Sequence, residues 1–203
     1  MTGLPETSAS EEDLARANLY ALLSRLLYRG ADAALLASIA ASGDAIGSEE
    51  SAPLAQAWRD LARACAQADV AAVQQEFEEV FTGTGKARVT PYCSYYLAET
   101  GREKVLVRLR EELEGLGLAR VASVGEPEDH IAGLLEVMRH LVLANGGDIA
   151  LHKQRAIFER YIERAYARFC DDLSACPEAG FYRFVARVLR SFLEVESQAL
   201  KME

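Results

Sequence analysis

Five consecutive residues, Glu126 to His130, combine side chains that often do chemistry: three carboxylates and one imidazole around Pro127. Carboxylates accept hydrogen bonds from cationic groups such as guanidinium, and imidazole can gain or lose a proton near neutral pH. Because proline fixes its own φ and disfavours helical geometry in the residue before it, the sequence predicts a helix that begins at Pro127, with Glu126 as its cap. The first-turn N–H groups of such a helix would be available to a ligand.

The same residues also fit a purely structural role. Asp129, as the third helical residue, would stabilise the positive end of the helix, and His130 would lie at the edge of its buried face, in the exposed first turn. The apolar residues that follow have the i, i+3, i+4, i+7 spacing of a helix with one buried side: Ile131, Leu134, Leu135, Met138, Leu141 and Val142. Composition alone does not choose between the two roles.

The spacing of the other reactive residues predicts neither an enzyme nor a metal site. Asp129 and His130 are neighbours on the predicted helix, so they point about 100° apart and cannot act on each other as a dyad. His130 and His140 lie roughly 15 Å apart along a helix axis, too far to share a metal ion. The four cysteines form no C-x-x-C pair: Cys65, Cys93, Cys170 and Cys176. We therefore predict no catalytic residue, no metal and no cofactor.

A glycine-rich stretch, Thr82 to Lys86, resembles a phosphate-binding loop only superficially. A Walker loop needs four residues between its glycines and a Ser or Thr after the lysine, whereas here one residue separates the glycines and Ala87 follows. No strand pattern precedes the stretch, so the sequence argues against nucleotide hydrolysis.

An aromatic cluster between Val89 and Leu97 is the second candidate for a site. Tyrosine offers a large amphipathic contact area with few rotatable bonds, which favours it on recognition surfaces. Packing of Tyr92 and Tyr96 into the core at i, i+4 spacing is the structural alternative.

Composition and charge fit a globular protein with a cationic partner. The chain has 203 residues and a formal net charge of −9, which argues against a nucleic-acid surface and suits a basic peptide. No signal sequence or long apolar run is visible, and the scattered cysteines fit a reducing compartment, so we predict a cytoplasmic protein with no integral membrane segment.

These residues are expected to be positioned by an all-α, single-domain bundle of about eight to ten helices. Ala and Leu dominate the composition and no strand-like alternation persists, which favours helix throughout. We predict a flexible arm over 1–10, a helical domain over 11–203, and connecting loops over 82–91 and 115–126. Predicted helices include 11–29, 32–41, one capped by Ser51, 70–81 capped by Asp69, and 178–200, with Trp58 and Leu61 as core contacts.

Two motifs resemble those of a known family. The stretch from Glu126 to His130 resembles the E-P-x-D-H signature of the TorD/DmsD family of cytoplasmic chaperones for molybdenum-containing reductases. The stretch around Pro91, Ser94 and Tyr96 resembles the family's P-W-G-S-x-Y segment, although Tyr92 replaces the tryptophan and Cys93 the glycine. These departures keep an aromatic residue but leave the identity of the client open.

The resemblance implies a chaperone, monomeric or homodimeric, that binds the twin-arginine signal peptide of an apo-molybdoenzyme of the DMSO/TMAO reductase or formate dehydrogenase type until its cofactor is inserted. There are two alternatives: an assembly chaperone of the nitrate-reductase type, and a helical regulatory adaptor without an export client. Arginines would be bound by carboxylates of the motif or by the acidic residues from Glu76 to Glu79. The predicted peptide-binding residues are Tyr20, Phe81, Pro91, Tyr92, Ser94, Tyr96, Glu126, Pro127, Asp129 and His130.

Overall fold

The chain folds as an all-α bundle in a computed structural model that describes residues 10–43, 53–82, 87–119, 125–144 and 147–202. The α-helices are α1 Glu11–Arg29, α2 Ala33–Ala41, α3 Pro53–Gln67, α4 Val70–Phe77, α5 Cys93–Leu97, α6 Arg102–Gly115, α7 Ile131–Leu143, α8 Gly147–Ile157, α9 Glu163–Ala175 and α10 Tyr182–Met202. The predicted fold class is confirmed. None of the described helices is long and apolar enough to cross a bilayer.

Short polar side chains begin several helices. The Ser10 hydroxyl accepts from Asp13 N at 3.0 Å, and Asp32 accepts from Leu35 N at 2.8 Å. Asp69 accepts from Ala72 N at 2.9 Å, which confirms it as the cap of α4. Each of these side chains satisfies a first-turn donor that has no partner within its own helix.

Two π-helical turns interrupt longer helices. Glu78–Thr82 continues α4, and Phe158–Ile162 joins α8 to α9 in one continuous helix. A π-turn inserts an extra residue and rotates the following side chains relative to a regular α-helix. Val80, Phe81, Phe158, Tyr161 and Ile162 are buried at these turns.

The core lies between α1, α7, α9, α10 and α3. The helix α1 packs along α7, while α10 packs against α9 and α3. The Ser24 hydroxyl of α1 donates to Ala132 O of α7 at 2.9 Å, so the two helices are joined by a buried hydrogen bond as well as by apolar contacts. Trp58 and Leu61 are buried as predicted.

A buried polar network joins α1 to α10. Glu196 is 1% exposed and accepts from Arg16 Nε at 2.8 Å, from Arg16 Nη2 at 2.9 Å and from the Tyr20 hydroxyl at 2.8 Å. A buried carboxylate is tolerated when a paired cation and hydrogen bonds compensate its lost hydration. Tyr20, one of the predicted peptide-binding residues, therefore lies in the core and is 0% exposed.

Two predicted helix starts were wrong. The helix α7 begins at Ile131, four residues after Pro127, because the intervening residues form a tight turn. The last helix begins at Tyr182 instead of Glu178, and Glu76 provides its cap by accepting from Phe181 N at 2.8 Å and Tyr182 N at 2.7 Å. The Glu76 carboxylate therefore caps a helix. It is not a free ligand for an arginine of the peptide, as was predicted for the carboxylates from Glu76 to Glu79. Four parts of the predictions lie outside the described residues: residues 1–9 of the arm predicted over 1–10, the Ser51 cap, residues 83–86 of the glycine-rich stretch and residues 120–124 of the loop predicted over 115–126.

Candidate functional site

The two sequence motifs meet in the folded chain through backbone hydrogen bonds. Cys93 N donates to Asp129 O at 2.8 Å, and Ile131 N donates to Pro91 O at 2.8 Å. Tyr92 and His130 thereby form an isolated antiparallel bridge. We call the paired segments 91–94 and 129–132 the clasp.

Side chains in the clasp cap two different helices. The Asp129 carboxylate accepts from Ser94 N at 3.0 Å through Oδ2 and so caps α5, whose own N-cap residue, Tyr92, makes no such bond. His130 Nδ1 accepts from Ala132 N at 3.1 Å and caps α7. The adjacent acid and histidine therefore stabilise the first turns of two helices that are distant in sequence.

The clasp is buried, so the predicted exposure of Asp129 and His130 was wrong. Asp129 is 1% exposed and His130 is 7% exposed. The capping role predicted for Glu126 was also wrong, since His130 performs it. The first-turn donors predicted to be available to a ligand are already used, because Ile131 N bonds to Pro91 O and Ala132 N bonds to His130.

Two tyrosines surround the imidazole of His130. The ring of Tyr92 lies 5.5 Å away and the ring of Tyr28 lies 5.7 Å away, both nearly perpendicular to it. Burial lowers the pKa of His130 below its ordinary value, although the charges of Glu126 and Asp129 act in the opposite direction. A neutral ring whose Nδ1 accepts a hydrogen bond carries its proton on Nε2.

The two glutamates of the motif are already hydrogen-bonded within the chain. Glu126 accepts from the Tyr92 hydroxyl at 2.5 Å, and burial, followed by this bond, raises the pKa of that hydroxyl. Glu128 lies 2.9 Å from Arg110 Nε of α6. The site thus contains one carboxylate that already binds a guanidinium group.

An open groove of about 460 Å³ lies next to the clasp. It is bounded by the end of α1, the end of α6, the turn that contains Glu126 and Glu128, and one face of α7. Its apolar lining includes Tyr28, Leu113, Leu118, Ala119, Pro127, Ala132 and Val137, and its polar lining includes Ser24, Glu126, Glu128, His130, Glu136 and His140. A groove of this volume admits one or two large side chains.

The predicted site residues fall into three groups. Glu126, Pro127 and His130 line the groove. Pro91, Tyr92, Ser94 and Asp129 belong to the clasp, where the Tyr92 hydroxyl donates to Glu126, and Tyr96 is buried with its hydroxyl donating to Thr90 O at 3.0 Å. Phe81, also a predicted peptide-binding residue, packs against Tyr182 and Phe169 in the core.

Sequence reasoning missed Tyr28, Gly133, Glu136 and His140, which line the groove. The spacing of Gly133, Glu136, Val137 and His140 is that of a second helical face, a signal that was present in the sequence. The position of Tyr28 follows from the packing of α1 on α7. No local pattern indicates it.

Comparison with known proteins places this architecture in a family. The family model described as "Nitrate reductase delta subunit" matches residues 48–171. Because this stretch exceeds half of the chain, the protein belongs to that family, and curated TorD chaperones are among its relatives.

Two such relatives support the assignment. "Chaperone protein TorD" of Photobacterium profundum is 27% identical over 147 residues, which cover 66% of this chain and 65% of the relative. The protein of the same name from Aliivibrio fischeri is 26% identical over 137 residues, 63% of this chain and 64% of the relative. The matched part thus spans slightly less than two thirds of each relative's length. The resemblance predicted from the two motifs is confirmed.

A solved structure shares the fold. The crystal structure of a protein assigned as a redox enzyme maturation protein from Archaeoglobus fulgidus superimposes with a TM-score of 0.56 and 21% identity, covering 97% of this chain and 96% of that one. At this level of identity the likeness concerns the fold alone.

Proposed function

We propose that this protein is a cytoplasmic maturation chaperone, not an enzyme, and that it binds the twin-arginine signal peptide of an apo-molybdoenzyme in the groove beside the clasp. Binding would delay export until the client's cofactor has been inserted. The observation that carries the proposal is an apolar groove edged by carboxylates at the position of the family motif. A signal peptide offers the complementary chemistry, namely two arginines followed by a hydrophobic segment.

Charge at the groove supports a cationic ligand. Glu126, Glu128 and Glu136 all line it, and the chain carries a net charge of −9. The side chain of Glu136 is 46% exposed, and its contact with Arg139 is a surface ion pair that a ligand can replace at small cost. A carboxylate has two oxygens, so Glu126 can accept a further donor while it keeps the hydrogen bond from Tyr92.

The internal contact between Arg110 and Glu128 supports the choice of arginine. Its 2.9 Å distance is that of a charge-assisted hydrogen bond between guanidinium and carboxylate. The wall of the groove that contains Glu128 therefore already accommodates one guanidinium group. Tyr28, Leu113 and Val137 supply apolar surface within the same groove.

A direct binding experiment tests the proposal. Calorimetric titration of the chain with a synthetic twin-arginine signal peptide should give saturable binding that weakens with added salt, because salt screens the exposed charges. A peptide with both arginines changed to lysine should bind less well, since lysine keeps the charge but loses the bidentate geometry. Equal affinity for a sequence-scrambled peptide would contradict specific recognition.

A nitrate-reductase-type assembly chaperone is the second candidate, and the description of the matching family favours it. Such a chaperone would bind the catalytic subunit of a nitrate reductase. Co-purification of the tagged chain from its native cytoplasm, followed by identification of the bound large protein, distinguishes the two. Recovery of an exported molybdoenzyme supports our proposal, and recovery of a nitrate reductase subunit supports the alternative. A helical adaptor without an export client would yield neither.

A further inference from the structure

The backbone conformation at position 133 does not require a glycine. Among the described residues the glycines with positive φ are Gly30, Gly101, Gly117 and Gly147, and Gly133 is not one of them. It is the third residue of α7, inside a regular helix. Glycine weakens a helix relative to alanine because it loses more conformational freedom on folding.

Packing does not require the glycine either. A Cβ added at Gly133 would meet only Glu128 O, at 3.7 Å, which is an ordinary van der Waals contact. By contrast, a Cβ at Gly30 would lie 3.3 Å from the Phe77 ring, at a φ of +72°. Neither steric crowding nor backbone geometry therefore explains why position 133 lacks a side chain.

The position of Gly133 in the groove supplies a reason. It is exposed and lines the same wall as Glu136, Val137 and His140, which follow it at helical spacing. Side chains on a helix lean toward its N-terminus, so one at 133 would extend toward the turn that contains Glu128. It would occupy groove volume between that turn and α7.

We propose that Gly133 is a specificity-determining residue, whose missing side chain leaves space for a large apolar side chain of the bound peptide against the backbone of α7. This rests on the proposed function, because the occupant is part of the signal peptide. Glu126, Glu128 and Glu136 line the same groove, so an arginine of the peptide would bind close to this apolar residue. Residue 133 would thereby set the size of the apolar group that the groove accepts.

A pair of leucine variants tests the assignment. Gly133→Leu fills the space, and Ala66→Leu is the control, since Ala66 is an exposed residue of α3 that does not line the groove. Gly133→Leu should melt at or above the temperature of the wild-type chain, because leucine favours helix over glycine, and Ala66→Leu should melt close to it, because leucine and alanine are both strong helix formers. Only Gly133→Leu should raise the Kd for the twin-arginine peptide, by about tenfold or more, the effect of excluding one large apolar side chain.

Gly133→Ala gives an intermediate test if the leucine variant folds poorly. Alanine suits the helix and adds only one methyl group, so the variant should fold and bind a few-fold more weakly. Unchanged affinity in a folded Gly133→Leu or Gly133→Ala variant would overturn the assignment while the proposed function stands. Absence of any binding by the wild-type chain would overturn the proposed function and the assignment together.

Peptide variants complete the test. Each large apolar residue of the peptide is replaced in turn by alanine, and the Kd is measured with the wild-type chain and with Gly133→Leu. At one peptide position, truncation should weaken binding to the wild-type chain by about tenfold and have little effect on the leucine variant, which indicates direct coupling. Equal losses with both proteins at every position would overturn the assignment.

Discussion

The clasp and the groove lie side by side and share His130, yet they differ in what surrounds them. In the clasp, Asp129 is 1% exposed and its carboxylate caps a helix from the other motif. In the groove, Gly133 is exposed and the Glu136 side chain is 46% exposed. One short motif therefore serves two purposes: its buried residues hold two helix starts together, and its neighbours present a surface on which a ligand can bind.

The largest expected effect is loss of stability when the clasp is broken. Replacing Asp129 and His130 together by alanine should lower the free energy of unfolding by about 2–4 kcal/mol, because both caps are lost and two first-turn N–H groups lose their partners. Urea denaturation measures this loss. The matched control, Asp129→Asn with His130→Asn, retains an acceptor at each position and should lose much less. A loss below about 1 kcal/mol for the double alanine variant would show that the clasp is not a stabilising element.

An intermediate effect is expected at the rim of the groove. Glu136→Lys should change the free energy of unfolding by less than about 0.5 kcal/mol, since its ion pair is exposed, and should weaken binding of the twin-arginine peptide by about fivefold through charge repulsion. The control is Glu159→Lys, the same charge reversal at an exposed position outside the groove. Equal losses of affinity in both variants, measured by calorimetry, would indicate a general charge effect.

The smallest expected effect is a pH dependence of stability that arises from His130. Burial lowers its pKa in the folded state, so the unfolded chain binds this proton more readily. The contribution is fully present above the ordinary histidine pKa of about 6.5, and it is lost as the pH falls from there toward the lower folded pKa. Protonation also removes the Nδ1 acceptor that caps α7.

Comparison with the His130→Asn variant isolates the contribution of His130 to the pH dependence of stability, because the two proteins contain the same carboxylates. The free energy of unfolding is measured by urea denaturation between about pH 7.5 and about pH 5.5, and the wild-type chain should lose more of it than the variant. Parallel pH profiles would show that folding does not lower the pKa of His130, and would contradict this contribution.

Helical periodicity and capping residues predicted the fold well. The start of α1 and the Asp69 cap of α4 depend on local hydrogen bonds and on spacing within one segment, which a sequence displays directly. The start of α7 was misplaced because proline is compatible with a turn as well as with a first helical position. The turn is stabilised by pairing with segment 91–94, a tertiary contact that local sequence does not show.

The candidate site was predicted only in part, for the same physical reason. The two motifs identified the segments that meet, since their residue types are unusual in a core. Whether Asp129 caps its own helix or α5 depends on a contact across 35 residues of chain. Tyr20 and Phe81 were included among the predicted peptide-binding residues, and the structure buries both in the core. Tyr28 enters the groove only because α1 packs along α7.

The most direct test of the central claim is amide hydrogen exchange of the wild-type chain with and without the twin-arginine peptide. A ligand in the groove should slow exchange in residues 113–119 and 125–137 and at the end of α1, and it should leave α3 and α10 unchanged. A second concave surface lies between α3, α4 and the start of α10, lined by Asp60, Arg63 and Phe181 among others. Protection centred on that surface, with none at the groove, would contradict the account.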